Sequence, residues 1–485
     1  MRSACWTADG LDLAALFARH AERPAILQGD GCLSWGTVGR RVAGAAAGLR
    51  ALGIREGRRV GFWAENRPAH FITLLACWAC GAVFVPLNWK APPAAVSQGL
   101  PLDLLVTEGR GEPAVAERTV PLSVLSDCHP AAGRRRPLPL VPLEREAAII
   151  FTSGSSGPPK GVVHTVASFL YSADGTARFY GLEPRDTWLV SLPLFHVGGL
   201  LVFVRCLLAG AAAVFPPSLA AIGAALVSRR PTFLSLVPTQ LLRLLDDPLA
   251  VSALRGCRAV LVGGAAPAAD LMNRCRDLGI PVSPTYGASE TCAQVTAVAP
   301  DAPREDLASA GRPLPHRRVR LGSGGRIAVG GRTLLSHYVT ADGVTRPVEN
   351  GWLQTPDTGR WDGRGNLVVL GRSDLIFQAG GENINPEEIE DHLLALPQVL
   401  AAVVVPVPDP EFGHVPWALV ATSGPLDGAG LAAALRKKLA GFKVPKRFLP
   451  LAAAGCEADA KPDRSALGRW AERTAATDGS RSDNP

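Results

Sequence analysis

Over its first 370 residues the chain alternates helical and strand patterns, and this alternation limits the fold more than any other feature. LSWGTVGRRVAGAAAGLRALGI repeats its apolar positions at helical spacing and stops at Gly53. RRVGFWAEN reads as a strand, residues 68–80 as a helix and 82–87 as a strand. The order then recurs: strand 187–192, helix 198–208, strand 211–215, helix 219–228, strand 233–236, helix 238–246, strand 258–262, helix 268–277 and strand 281–284. Strands separated by helices are joined by crossovers, so the expectation is an α/β architecture with largely parallel sheets.

The pattern changes near residue 311. GGRIAVGG and GNLVVLG read as short strands with glycine turns, a small β subdomain reaching to about 370. After Arg372 helical periodicity returns. PEEIEDHLLAL opens on Pro386 with acids in its first turn, as helix starts prefer. VLAAVVVPV is a strand, and LAAALRKKLAG is a helix with late cations and a closing glycine. With 485 residues the chain exceeds a single core. The expected organisation is a large N-terminal domain over 1–372, a small α+β C-terminal domain over 373–472, and a disordered tail over 473–485, whose polar run TAATDGSRSDNP offers little to bury.

Charge and cysteine usage narrow the function classes. The net charge of +7 is spread along the chain, and Arg134-Arg135-Arg136 sits in a Pro-rich stretch. No basic stripe interleaved with aromatics appears, so nucleic acid is not an expected partner. Ten cysteines are scattered, and Cys77-x-x-Cys80 lacks the second pair a zinc site needs. Such thiols read as small core residues in a reducing cytoplasm. The N-terminus lacks the apolar core of a secretory signal. The uncharged run from Ile72 to Trp89 is interrupted by Gly81 and Pro86, and the run over 194–215 carries His196 and Arg205. Both read as core rather than as membrane spans.

Residues 148–163, AIIFTSGSSGPPKGVV, carry the strongest chemical signal. Gly and Ser offer N–H groups and hydroxyls that wrap a polyphosphate, and Lys160 adds a cation. The P-loop form is absent: Pro159 precedes Lys160 and Gly161 follows it. Apolar runs flank the loop on both sides, so it reads as a strand–loop–strand clamp. Taken alone it is also compatible with a polar linker. Four more stretches fall between elements: GGAAP (263–267), TYGASE (285–290), TPDTGRWD (355–362) and GRSDLIFQAGGENINPEEIE (371–390). Singly, each has a plain reading as a turn, a core aromatic or a helix cap.

Together and in this order they resemble the adenylate-forming superfamily of acyl-CoA synthetases, luciferases and peptide-synthetase adenylation domains, over roughly residues 10–470. SLPLFHVGGL, GIPVSPTYGASETCAQVTAVAP, ASAGRPLP and SDLIFQAGGENINPEEIE are similar to the branch that activates o-succinylbenzoate for menaquinone synthesis. The resemblance implies ATP, Mg²⁺ and coenzyme A as cosubstrates and cofactor, a small-molecule carboxylate as acyl substrate, and a C-terminal domain that is mobile. It leaves monomer and homo-oligomer open. An aryl or medium-chain acyl-CoA ligase, or an adenylating enzyme that loads a carrier protein, stands as the alternative; a binding protein without catalysis is disfavoured by the full set of motifs.

The resemblance also assigns roles. Thr152, Ser153, Ser155, Ser156 and Lys160 would clamp the β- and γ-phosphates. Gly263, Gly264, Ala265, Ala266 and Pro267 would flank the adenine, with Tyr286 stacking on it beside Gly287. Ser289 would touch the α-phosphate and Glu290 would hold Mg²⁺. Asp357 would accept the ribose hydroxyls, Arg372 would reach the ribose or phosphate, and Asp374 would be the hinge. His196 would line the acyl pocket with Ser235 to Gln240, Gly264 and the stretch to Gln294. Lys461 would bridge carboxylate and α-phosphate, with Lys443 and Lys446 as competitors. The sequence departs from the family at Ser289, where Thr is usual, at Pro356, where Gly is usual, and before Lys461, where the segment after Leu449-Pro450 is longer and Ala460 replaces Gly.

Overall fold

The computed structural model describes residues 6–90, 99–109, 116–126, 137–152, 160–265, 267–458 and 462–482. Among these, two mixed sheets organise the N-terminal part. The nine-stranded one runs through parallel strands Ala212–Phe215, Thr187–Leu189, Phe233–Leu236, Ala259–Val262 and Val282–Ala288, with antiparallel strands at both margins. The eight-stranded one joins parallel strands Leu104–Thr107, Arg59–Trp63, Val83–Pro86 and Glu146–Thr152 to an antiparallel flank beginning with Lys160–Thr165.

The sheets are buried on both faces, as crossover helices require. Helices Trp35–Ala51, Ala69–Cys80, Val166–Tyr180 and Val197–Ala209 share one core with facing sides of both sheets. Period-2 alternation divides each strand: Ala259 and Leu261 enter that core, while Val260 and Val262 enter a second one with helices Ile222–Arg229, Pro248–Arg255 and Ala269–Asp277. Cys77 is buried in its helix, and burial pushes its thiol well up. No helix among the described residues is long and apolar enough to cross a membrane.

A smaller sheet follows, centred on Trp352–Trp361 and its partner Leu367–Arg372. The last part of the chain holds a sheet of Val399–Asp409, Gly413–Thr422 and Arg447–Pro450, with helices Pro386–Leu394 and Gly428–Arg436 on one face. On the other face lies helix Arg464–Ser482, so the disorder expected over 473–485 gives way to helix as far as Ser482, while residues 483–485 lie outside the described residues. Leu467 and Ala471 are buried, with Trp470 and Ala475 packed beside them, so an apolar stripe inside a polar stretch continues the helix. The start of this helix is anchored by a buried ion pair. Arg464 donates through Nη1 to Oε1 of Glu390 at 2.5 Å and through Nη2 to Oε2, and Glu390 also accepts from the Val404 N–H at 2.6 Å.

Candidate functional site

The site motifs gather where parallel strands end. Phe195-His196 follows Thr187–Leu189, Pro238-Thr239-Gln240 follows Phe233–Leu236, and Gly263-Gly264 follows Ala259–Val262; Tyr286 and Gly287 lie near the end of Val282–Ala288. The carboxyl ends of strands in open α/β sheets are where ligands bind, because the loops there are free to vary over a rigid frame. Of the expected clamp, the structure describes Thr152 and Lys160, which pair across two antiparallel strands. Ser153, Ser155, Ser156, Ala266 and Lys461 lie outside the described residues.

The Ser289–Thr291 turn is held from several sides. His164 on the clamp strand donates from Nε2 to the Ser289 carbonyl at 2.6 Å. Its other ring nitrogen is buried without a partner, and burial takes its pKa down to about 4, so the ring is neutral. The Leu335 N–H donates to the Glu290 carbonyl at 2.8 Å, and Ser172 Oγ donates to the Cys292 carbonyl at 2.5 Å. Cys292 and Ala293 both take left-handed backbone, at φ 53° and 71°, a strained pair of the kind found at functional turns. Gly287 is obligatory here, because a Cβ would come within 2.0 Å of the Ala293 carbonyl oxygen.

Tyr286 and Asp357 come together from strands far apart in sequence. The Tyr286 hydroxyl donates to Asp357 Oδ2 at 2.5 Å. Burial pushes the Asp357 carboxyl above its ordinary value, and the Tyr286 hydrogen bond works against that rise. Arg372 is the cross-strand neighbour of Asp357, but its guanidinium forms a two-pronged pair with Asp374, at 2.9 and 2.7 Å. The Arg372 N–H donates to Glu387 at 2.6 Å, and Ser373 donates twice to the Pro356 carbonyl, each at 2.8 Å. Thus the chain leaving the N-terminal part is pinned on both sides of Ser373.

The competitors for the terminal lysine are already engaged: Lys443 pairs with Glu388 at 2.6 Å, and Lys446 sits 4.7 Å from the Phe412 ring centroid. His196 is half-buried at the cap of Val197–Ala209, its ring 4.5 Å from that of Phe195. The Gln294 amide is taken up internally, accepting from Thr176 and donating to Tyr180 and Thr285.

One residue enters that the motifs did not assign. Arg205, in the helix that His196 caps, is 2% exposed and stacks 4.9 Å from the Trp188 ring centroid. Its Nε has no acceptor, and no carboxylate among the described residues pairs with it. Tyr180 and Cys292 are among its electrostatic neighbours, which sets the guanidinium behind the Ser289–Cys292 turn. Burial lowers its pKa to about 10, still far above neutrality, so it remains a cation. The signal in sequence was a lone arginine inside VGGLLVFVRCLLAG.

This fold and this ring of motifs belong to a known class: the chain is a member of the AMP-binding enzyme family, matching its model over residues 13–338 and the model of its C-terminal domain over 388–454. Among individual proteins, it is 35% identical to the 2-succinylbenzoate–CoA ligase of Salmonella typhimurium over 460 residues, 93% of this chain and 95% of the relative. It is 34% identical to a feruloyl-CoA synthase of Amycolatopsis sp, over 87% of this chain and 90% of that protein. Its structure resembles the o-succinylbenzoate CoA synthetase of Bacillus subtilis in complex with an acyl-adenylate intermediate, with a TM-score of 0.84, 28% identity, and coverage of 94% of this chain and 97% of the other. The same Bacillus enzyme with ATP and magnesium ion aligns with a TM-score of 0.81 at 27% identity, over 94% of this chain and 98% of that one.

Proposed function

We propose that the chain is an AMP-forming acid–thiol ligase that converts o-succinylbenzoate to its CoA thioester. A carboxylate acylates poorly, so it is first activated. Its oxygen attacks the α-phosphorus of ATP, the bond to the β-phosphate breaks, and pyrophosphate leaves. The CoA sulfur then attacks the acyl carbon, the bond to AMP breaks, and the thiol proton passes to solvent.

In this reading Asp357 accepts the ribose hydroxyls while Tyr286 stacks on the adenine and orients the carboxylate it touches. Gly263, Gly264, Ala265 and Pro267 line the base, and Ser289 supplies a hydroxyl to the α-phosphate. Thr152 and Lys160, with Ser153, Ser155 and Ser156, clamp the outer phosphates. Among the described residues no three His, Cys, Asp or Glu side chains form a closed metal site. A lone carboxylate at Glu290 fits a magnesium ion, which keeps waters and takes phosphate oxygens for its remaining positions. When bound there, that ion would offset phosphate charge in the transition state. Lys461 bridges the carboxylate and α-phosphate during the first step, and rotation about Asp374 exchanges it for the thiol path.

The observation that carries the substrate is Arg205. A buried cation with no carboxylate partner among the described residues calls for an anion, because an unpaired charge in an apolar core is costly. o-Succinylbenzoate has two carboxylates, one to be activated and one for Arg205. Ferulate, the second candidate by similarity, has one carboxylate and a neutral phenol. Free thiols at every described cysteine support a cytoplasmic setting. The test is a panel of o-succinylbenzoate, ferulate, benzoate and a medium-chain fatty acid, read first as pyrophosphate release and then as thioester. A kcat/KM highest for o-succinylbenzoate is expected; a clear preference for ferulate would replace it.

A further inference from the structure

Tyr338 belongs to none of the motifs, yet it touches two of their residues. It lies in strand His337–Thr340, opposite Val162 on the strand that begins with Lys160. Its ring packs against the cluster of Val162, Leu335 and Leu353. Its hydroxyl donates to Glu290 Oε1 at 3.1 Å, and Lys160 Nζ stands 5.5 Å from the centre of its ring. Three residues earlier, the Leu335 N–H holds the Glu290 carbonyl at 2.8 Å. One short segment therefore grips Glu290 by both backbone and side chain.

We propose that Tyr338 is the positioning residue for Glu290, holding one carboxylate oxygen so that the other faces the magnesium–nucleotide complex. The proposal rests on the reading of Glu290 as the metal carboxylate. A glutamate swings about three side-chain torsions, and a hydrogen bond to one oxygen removes most of that freedom before the ligand arrives. The ring does a second task. It holds the Lys160 ammonium by cation–π attraction, without the neutralisation that a carboxylate partner would bring. The cation thus stays near the metal carboxylate yet remains available to phosphate.

The experiment uses the full chain carrying Tyr338→Phe, which deletes only the hydroxyl and leaves the ring for packing and for Lys160. ATP binding is measured calorimetrically in EDTA and at graded Mg²⁺, with Glu290→Gln in parallel. The expected result is unchanged ATP affinity in EDTA and a ~10- to 100-fold rise in the Mg²⁺ concentration that half-saturates the enhancement, the usual cost of losing an outer-shell partner. If Glu290→Gln shifts that midpoint and Tyr338→Phe does not, the inference is overturned while the role of Glu290 stands. If neither variant shifts it, the reading of Glu290 fails and takes the inference with it. Equal weakening of ATP binding with and without Mg²⁺ marks a structural role and also overturns it.

Discussion

The Tyr286 hydroxyl donates to Asp357 at 2.5 Å and so joins the strand Val282–Ala288, an edge of the nine-stranded sheet's parallel core, to the strand Trp352–Trp361 of the small sheet. The bond spans 71 residues of sequence and links the residue expected under the adenine to the one expected on the ribose. Tyr286→Phe keeps the stacking face and removes the bond. The KM for ATP is expected to rise about tenfold with kcat little changed, the scale for one hydrogen bond to a charged group. Steady-state kinetics at saturating acid and CoA check this; an unchanged KM would separate Asp357 from nucleotide binding through Tyr286.

Arg205→Met keeps most of the side-chain volume and removes the cation. The kcat/KM for o-succinylbenzoate is expected to fall about 10- to 150-fold, the equivalent of a charged hydrogen bond, while that for benzoate changes little. Thermal stability is expected to hold, because an unpaired buried guanidinium is a burden on the fold. Equal losses for both acids would show that Arg205 does not read the second carboxylate.

Lys461 and Asp374 are expected to divide the two half-reactions. Lys461→Ala slows adenylation by ~10²–10³-fold, the scale for one pre-organised charge at a transition state, and spares thioester formation from supplied acyl-adenylate. Asp374→Pro does the opposite by stiffening the hinge. Lys443→Ala and Lys446→Ala affect adenylation far less, in keeping with their contacts to Glu388 and Phe412. Rapid-quench assays of each half-reaction give the answer. Normal adenylation by Lys461→Ala would transfer the role to another residue.

His164 gives a pH signature. The fold keeps it neutral down to about pH 4, whereas the unfolded chain protonates it near pH 6.5. Between those values the unfolded state binds more protons, so stability falls as pH falls, by on the order of a few kcal/mol in full. His164→Gln preserves a donor for the Ser289 carbonyl and does not titrate. Denaturant unfolding at pH 7 and pH 5 is expected to show a smaller loss for the variant; equal losses would mean that His164 is charged in the fold. His70, also buried and depressed to about 3, contributes equally to both proteins and cancels.

Legibility followed periodicity and punctuation. The helix Ala69–Cys80 and the strand Val83–Pro86 were readable because Gly81 separates them. Helix Val166–Tyr180 was not, since it is buried nearly all round and holds Ser172, Gly175 and Thr176, leaving no apolar stripe. Gly175 has a packing reason that no pattern reveals: a Cβ there would lie 2.2 Å from the buried Arg317 guanidinium, whose donors serve Gln294, Pro315 and Ser172. The residues expected at the nucleotide were visible as short motifs of fixed chemistry, although Thr152, Lys160, Tyr286, Asp357 and Arg372 lie on strands rather than between elements. Tyr338 and Arg205 were not, because the partner of the first is 48 residues away and the Nε of the second has no acceptor among the described residues.

Adenylation followed by thioester formation on o-succinylbenzoate is tested by resolving the products of one incubation. The protein is mixed with ATP, Mg²⁺ and o-succinylbenzoate, and CoA is added to half of the sample. Acyl-adenylate and pyrophosphate are expected without CoA, and AMP with o-succinylbenzoyl-CoA in equal amounts once CoA is present. ADP and inorganic phosphate, or AMP without a thioester after CoA is added, would contradict it.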